Sequence, residues 1–394
     1  MTDTKKSFRS TWGGKGVNIA IVVCVVLTVC GLGLWAMQLS GGLVQTGMRN
    51  LDSWGLYITM FMFLVGLSAG GLIISSVPKA FGLKGFGGIS KVAVWTSICC
   101  TVLAIGFVVV DLGNPARLWE LFAYSNMSSP LMWDIIVLMT YLILSIVYLW
   151  AQVRADAGKV SHTALRVISV IALVCAVLVH SVTAWIFGLN AGREMWHTAL
   201  LAPWFVSSAL VCGTALVLIV VIALRRVGYL DVAQENVSTL AKMLGAFLAV
   251  DLYFFGCDLL TSAFPGGSGA EVASMLVAGP LAPFFWTEVI GGVVAMVLVF
   301  APRLVMASVL AIAGIFCKRF QLLDGGFQIA NIGLAGPMSE YTVTNWAGGW
   351  ANAYAGLVYA PQPIELGICL GVFALGGLVL LLGLKYLPLR PVEE

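Results

Sequence analysis

Charge is what this chain has least of. Only 10% of its 394 residues are Asp, Glu, Lys or Arg, against 60% hydrophobic residues, and the mean hydropathy is +1.00. Soluble domains carry roughly 25% charged residues, so the composition excludes a soluble fold and reads as an integral membrane protein. The net charge of +3 is too small for a nucleic-acid footprint. Histidine is nearly absent: His162, His180 and His197 are the whole supply. A membrane haem held by two imidazoles needs a pair at matched depth. Only His180 falls inside a long apolar run, so no haem is expected. The nine cysteines all lie in apolar runs and none forms a C-x-x-C pair, which argues against an iron–sulfur cluster or a disulfide framework; no metal site is expected. The glycine-rich stretches Gly13–Gly16 and Gly85–Gly88 lack the spacing and the Lys-Ser/Thr of a phosphate loop. With neither haem nor cluster, the chain cannot relay electrons far by itself.

Long apolar runs, by contrast, are abundant. A helix crossing about 30 Å of hydrocarbon needs about 20 apolar residues, and ten segments qualify: 17–39, 54–77, 90–111, 131–152, 164–188, 200–224, 238–263, 280–300, 303–322 and 363–387. The first follows Lys5, Lys6, Arg9 and Lys15 and is too long for the apolar core of a signal peptide, so it reads as an uncleaved span. Sixteen of the 21 Lys and Arg lie on the side of the N-terminus; Arg49, Arg117, Arg193, Lys318 and Arg319 lie on the other. That bias predicts cytoplasmic N and C termini.

A weak internal repeat organises the spans. Trp54 and Trp204 open spans two and six, Lys91 and Lys242 open three and seven, and Pro130-x-x-Trp133-Asp134 and Pro283-x-x-Trp286-Thr287-Glu288 open four and eight, at offsets of 150, 151 and 153. Parallel repeats of this kind occur in membrane folds. The expected fold is all-α: one membrane domain with two parallel four-helix bundles, spans 2–5 (residues 54–188) and 6–9 (200–322), flanked by two peripheral helices. A long outer loop at 323–362 reads as a docking surface or lid, and 363–394 supply the last helix and a cytoplasmic tail. In span two, Gly66-Leu67-Ser68-Ala69-Gly70-Gly71 presents a small-x-x-x-small face for close helix packing.

Ionisable groups inside a bilayer are costly and are functional candidates by default. Asp111-Leu112-Gly113-Asn114-Pro115-Ala116-Arg117-Leu118-Trp119 stands where an apolar run ends, joining an acid, a helix stop, a fixed cation and an aromatic at a membrane boundary. That set suits a molecule with a polar head and an apolar tail. Asp134 opens span four, His180 lies in the outer part of span five, and Asp251 and Asp258, seven apart, share a face of span seven. Glu288 lies about two turns into span eight. All but Asp251 fall in the outer half of the membrane. A quinol suits such groups: its oxidation releases two protons and two electrons, and a carboxylate or imidazole must take the protons within hydrogen-bond reach. Trp54, Tyr57, Trp119 and Trp133 can pack its ring at the interface.

Four stretches together resemble the NrfD/polysulfide-reductase family of membrane subunits. They are Thr46-Gly47-Met48 through Trp54-Gly55-Leu56-Tyr57 with Gly66–Gly71; Asp111-Leu112-Gly113-Asn114-Pro115-Ala116-Arg117; His180-Ser181-Val182 with Trp196-His197 and Ala202-Pro203-Trp204-Phe205; and Arg319-Phe320-Gln321-Leu322 with Gly325 and Gln328. The resemblance implies a membrane anchor in the cytoplasmic membrane of a bacterium or archaeon. It would exchange electrons between the quinone pool, menaquinone above all, and an iron–sulfur ferredoxin-like subunit docked outside, itself serving a molybdopterin catalytic subunit. It implies a quinol site with Asp111, Arg117, Trp54, Tyr57 and His180. Some relatives have a histidine just before the tryptophan; Asp52 stands in that region here and substitutes for it. Trp133 and Asp134 complete the expected site. Asp251, Asp258 and Glu288 form a second hypothesis, a proton path. The rival from another class is a secondary transporter, disfavoured because its polar groups would gather at the midplane; a purely structural anchor would leave Asp258 and His180 unexplained.

Overall fold

In a bilayer each backbone N–H and C=O must be satisfied within the protein, and a helix does this segment by segment. The computed structural model describes residues 14–48, 52–81, 87–328 and 359–390, and among these the regular elements are all helical. In chain order they are α1 (Lys15–Gly41), α2 (Leu56–Phe81), α3 (Gly87–Asp111), a single turn α4 (Glu120–Ala123), α5 (Pro130–Asp156), α6 (His162–Gly188), α7 (Leu201–Arg226), α8 (Gln234–Ala263), α9 (Ser268–Val277), α10 (Ala282–Leu298), α11 (Leu304–Gln328) and α12 (Pro363–Tyr386). Among the described residues nine helices are long and apolar enough to cross a membrane. The count reaches ten when α9 and α10, bent by 71° at their junction, are taken as one broken span. The chain is thus a multi-pass integral membrane protein. We call the membrane edge where α1 begins and α12 ends the terminal edge, and the other the distal edge.

Two rings of helices result. α2, α3, α5 and α6 pack in a closed cycle, as do α7, α8, α10 and α11, and the rings meet chiefly through α2 against α7, with α6 on α7 and α11 on α2. α1 packs on α12, and α12 on α3, so these two lie outside the rings as expected. The repeat is visible in detail: α5 and α10 each begin with proline in the first turn. The Trp133 indole donates to the Met127 carbonyl at 2.6 Å, and the Trp286 indole to the Val277 carbonyl at 3.0 Å.

The rings can approach because α2 and α7 cross at glycines. A Cβ built on Gly70 would stand 2.4 Å from the Gly213 Cα, a distance real atoms do not tolerate. Without a hydrophobic drive between helices in lipid, such close packing is what associates them. Gly70→Ala is therefore expected to destabilise the fold by about 1–3 kcal/mol through overpacking, seen as a lower melting temperature of the purified protein. Gly106→Ala, where nothing lies within 4 Å, is the matched control and should melt as the wild type does.

One sequence expectation fails here. The ninth span, drawn as 303–322 with Lys318 and Arg319 counted as outer charges, is a helix that continues to Gln328. It buries both cations, leaving them 2% and 1% exposed. The reason lies on the facing helices: Asp251 and Glu288 receive Lys318. Only Arg49, Arg117 and Arg193 then remain of the five distal charges. The loop expected from 323 begins after α11; its residues 329–358 lie outside the described ones.

Candidate functional site

At the distal edge α1, α2, α3 and α12 converge on a buried polar cluster. The Tyr57 hydroxyl, in the first turn of α2, donates to Gln38 Oε1 of α1 at 2.6 Å, and Gln38 Nε2 donates to the Val110 carbonyl of α3 at 3.1 Å. Both side chains are buried. Asp111, the last residue of α3, and Glu365, in the first turn of α12, both act electrostatically on the Tyr57 hydroxyl. Glu365 is fully engaged: Oε2 accepts the Gly47 N–H at 2.7 Å and the Gln362 N–H at 2.8 Å, and Oε1 accepts the Tyr359 hydroxyl. Tyr359 in turn receives the Leu56 N–H at 2.9 Å. Burial and the Glu365 carboxylate raise the Tyr359 phenol above its ordinary pKa, so it stays a donor. Its ring lies where Gly55 leaves room; a Cβ there would stand 2.5 Å from the ring. Asp111 differs from Glu365: its Oδ1 is buried with no hydrogen-bond partner among the described residues. An unpaired buried acceptor is costly, and it marks the place where a ligand hydroxyl could donate. Phe107, stacked near Tyr57 at 6.4 Å, and Phe373 of α12 line the apolar side.

Gln38 and Glu365 escaped the sequence reading. Gln38 carried a signal, since it is one of two amides, with Asn18, in the first run. So did Glu365, as the third residue after Gln362 at the start of α12, the spacing of a capping box, which the structure forms.

Beside this cluster, where the two rings meet at the distal edge, stands an aromatic box. Trp54 stacks on Trp196 at 6.5 Å and meets Phe187 and Phe327 edge-on at 5.9 and 6.4 Å. The Trp196 indole donates to the Leu322 carbonyl at 2.7 Å, and the Arg193 guanidinium covers the Phe327 ring at 5.1 Å. Asp52 is buried here, within electrostatic reach of Asp324. Asp324, expected outside the membrane, is buried in α11.

The remaining expected residues do not join Tyr57 and Asp111. Arg117 is exposed, with 67% of its side chain open, and is held by a bidentate pair with Glu120 at 2.8 and 2.7 Å. It lines an open cavity of about 540 Å³ with Asn114, Glu120 and Tyr124, so it stands outside the buried cluster rather than on its rim. The reason is local: the Pro115–Arg117 turn carries the chain off α3, and Glu120, three residues on, captures the guanidinium. Trp133 is engaged by the Met127 carbonyl. Asp134 is buried between α5 and α6 and accepts the Thr183 hydroxyl at 2.6 Å. His180 is buried with Nδ1 at 3.3 Å from the Ala176 carbonyl and Nε2 without a partner among the described residues; the charged side chain acting on it is Arg319.

That arginine belongs to a charge cluster inside the second ring. Lys318 bridges Asp251 of α8 and Glu288 of α10, the latter at 3.2 Å. Ser207 donates to Asp251 at 2.9 Å, Gln321 donates to Glu288, and Arg319 donates to Ser208 with its guanidinium 3.6 Å over the Phe205 ring. Asp258 sits one face-repeat along α8 and lines a small cavity with Lys318, Gln321 and Trp204. Asp251, Asp258 and Glu288 were singled out from the sequence. Lys318 and Arg319 were missed because a Lys-Arg pair near the end of an apolar run reads as an anchor outside the hydrocarbon. Asp251, the acid expected away from the distal half, lies near the middle of α8, and Lys318 meets it from the middle of α11. Among the described residues no group of three or more His, Cys, Asp or Glu could hold a metal ion.

Comparison with known proteins places this geometry in a family. Residues 44–331 match the model of the polysulphide reductase NrfD family. Over 417 aligned residues, covering 99% of this chain and 95% of the relative, the sequence is 36% identical to a Halobacterium salinarum protein provisionally named as a membrane subunit of dimethyl sulfoxide reductase. It is 28% identical to a subunit of the selenate reductase of Mesobacillus selenatarsenatis over 57% of this chain and 58% of that one. It is 25% identical to the Hdr-like menaquinol oxidoreductase integral membrane subunit of Archaeoglobus fulgidus over 97% of each. The match spans both helix rings, the distal cluster around Tyr57 and Asp111 and the interior charges of α8, α10 and α11, and the chain belongs to the polysulphide reductase NrfD family.

Proposed function

We propose that this chain is the quinone-reactive membrane subunit of a multisubunit oxidoreductase. It exchanges two electrons between the quinone pool, with menaquinone the expected carrier, and an iron–sulfur subunit docked at the distal edge, which serves a molybdopterin-type catalytic subunit. The observation that carries this is the buried, partnerless Asp111 carboxyl oxygen, next in the chain to the Val110 carbonyl that anchors the Tyr57–Gln38 pair, in a member of this family. A quinol hydroxyl needs a hydrogen-bond acceptor that can take its proton, and Asp111 supplies one. With the Tyr57 hydroxyl donating to Gln38, the Tyr57 oxygen remains as an acceptor and the second Gln38 amide hydrogen as a donor for the ligand. Glu365, already engaged by three donors, holds α12 and the Gly47 backbone in place.

The names of the relatives agree with this reading, one being a menaquinol oxidoreductase subunit and two being subunits of reductases. The Lys/Arg bias, sharpened by the removal of Lys318 and Arg319 from the distal count, supports cytoplasmic termini and an outward-facing distal edge. The interior cluster of Asp251, Glu288, Lys318 and Arg319, with Asp258 along α8, supports a proton path through the second ring.

The test is a purified complex carrying this chain, supplied with a menaquinol analogue and no terminal acceptor. Reduction of the partner's clusters within the time of turnover is expected. The reading is lost if reduced viologen reduces those clusters while quinol, at saturating concentration, does not. Isolation of the chain as a solitary, substrate-accumulating carrier in proteoliposomes would favour the transporter instead.

A further inference from the structure

A large cavity among the described residues lies far from the distal cluster, at the terminal edge of the second ring. It is open, measures about 820 Å³ and lies between the end of α7, the start of α8 and the turn joining α10 to α11. Three arginines, Arg225, Arg226 and Arg303, line it, and no Asp or Glu does. Arg225 donates to Gln234, while Arg226 and Arg303 make no ion pair among the described residues. Leu304, Val305 and Met306 also line it. They form the first turn of the 25-residue α11, whose opening N–H groups lack a carbonyl within the helix and present the positive end of the helix dipole. Fixed cations, helix-end donors and the absence of any acid specify an anion.

The wall beside the arginines is apolar and faces outward. Val293, Val297 and Phe300, at helical spacing along α10 and its end, are exposed, Phe300 by 77%, and Met306 and Val309 continue the surface on α11. A free phosphate would use only the cationic half of this site. A phospholipid uses both, with its phosphate between the arginines and its acyl chains along α10, and basic pockets between membrane helices are suited to such headgroups. We propose that this cavity is a binding site for an anionic phospholipid headgroup.

Intact-mass spectrometry of the full-length chain, delipidated in detergent and titrated with phosphatidylglycerol, phosphatidylcholine or sodium phosphate, tests this. Phosphatidylglycerol should bind at least tenfold more tightly than phosphatidylcholine, and millimolar phosphate should not displace it. The Arg226→Gln/Arg303→Gln double variant should weaken phosphatidylglycerol at least tenfold, and Phe300→Ser severalfold. Lys159→Gln, an exposed cation on the same edge, should change nothing. Both arginines are exposed, so the double variant should melt as the wild type does. Unchanged affinity in the double variant, or equal affinity for the two lipids, overturns the proposal. Displacement by millimolar phosphate overturns it in favour of a free-anion site.

Discussion

In an assembled complex carrying Asp111→Asn, quinol-dependent turnover is expected to fall by about 10²–10⁴-fold, the usual contribution of a positioned proton acceptor. The amide keeps the shape of the side chain and cannot take the proton. Reduction of the complex by reduced viologen should be unaffected, because that donor bypasses the site. Tyr57→Phe, which removes the hydroxyl bonded to Gln38, should raise the apparent KM for quinol more than it lowers kcat. Arg117→Gln should cost less than threefold, since Arg117 is exposed and paired with Glu120. Stopped-flow reduction by a water-soluble quinol analogue separates these cases. If Asp111→Asn kept near wild-type quinol turnover while Arg117→Gln lost it, the buried cluster would be the wrong site and the cavity of about 540 Å³ outside it the right one.

The second large effect concerns Lys318. Its ammonium is shared by Asp251 and Glu288 in the interior of the second ring. Breaking a buried ion pair by removing one partner typically costs about 3–5 kcal/mol, because the remaining charge stays buried without compensation. Lys318→Met, similar in length, should therefore collapse the yield of monodisperse protein on size exclusion. The triple variant Lys318→Met/Asp251→Asn/Glu288→Gln removes the three ions of the bridge, leaving Arg319 on Ser208 and the Phe205 ring, and should recover part of that yield. In proteoliposomes the complex assembled on the rescued chain should still pass electrons from quinol but lose proton movement. Normal folding of Lys318→Met alone would show that the cluster is not held as an ion pair. Unchanged proton movement in the triple variant would remove the path.

The helices and their division into two sets of four were legible because they rest on long apolar runs and on recurring Trp and Pro anchors, signals written locally in the chain. The interior of α11 was not. Lys318-Arg319 carries the same local signature as a membrane-boundary anchor, and only the acids of α8 and α10, 67 and 30 residues earlier by number, give the pair a reason to be inside. The distal site was half legible. Asp111 and Tyr57 stand in recognisable stretches, and the structure joins them electrostatically. His180 stands in one too, yet the charge that acts on it is Arg319. Asp111 and Arg117, six residues apart, look like one unit in the sequence, but the Pro115 turn sends one into the interior cluster and the other to the surface.

The distal cluster is tied by bonds between the ends of the chain: the Leu56 N–H to Tyr359, 303 residues apart, and the Gly47 N–H to Glu365, 318 apart. Synthesis is vectorial, so the walls from α1, α2 and α3 enter the membrane long before α12 is made. During that interval Tyr57 and Asp111 have no Tyr359 or Glu365 to close the site. If the proposed quinone site is right, a nascent or truncated subunit would lack its finished geometry, and competence for electron exchange would arrive with the insertion of the last helix.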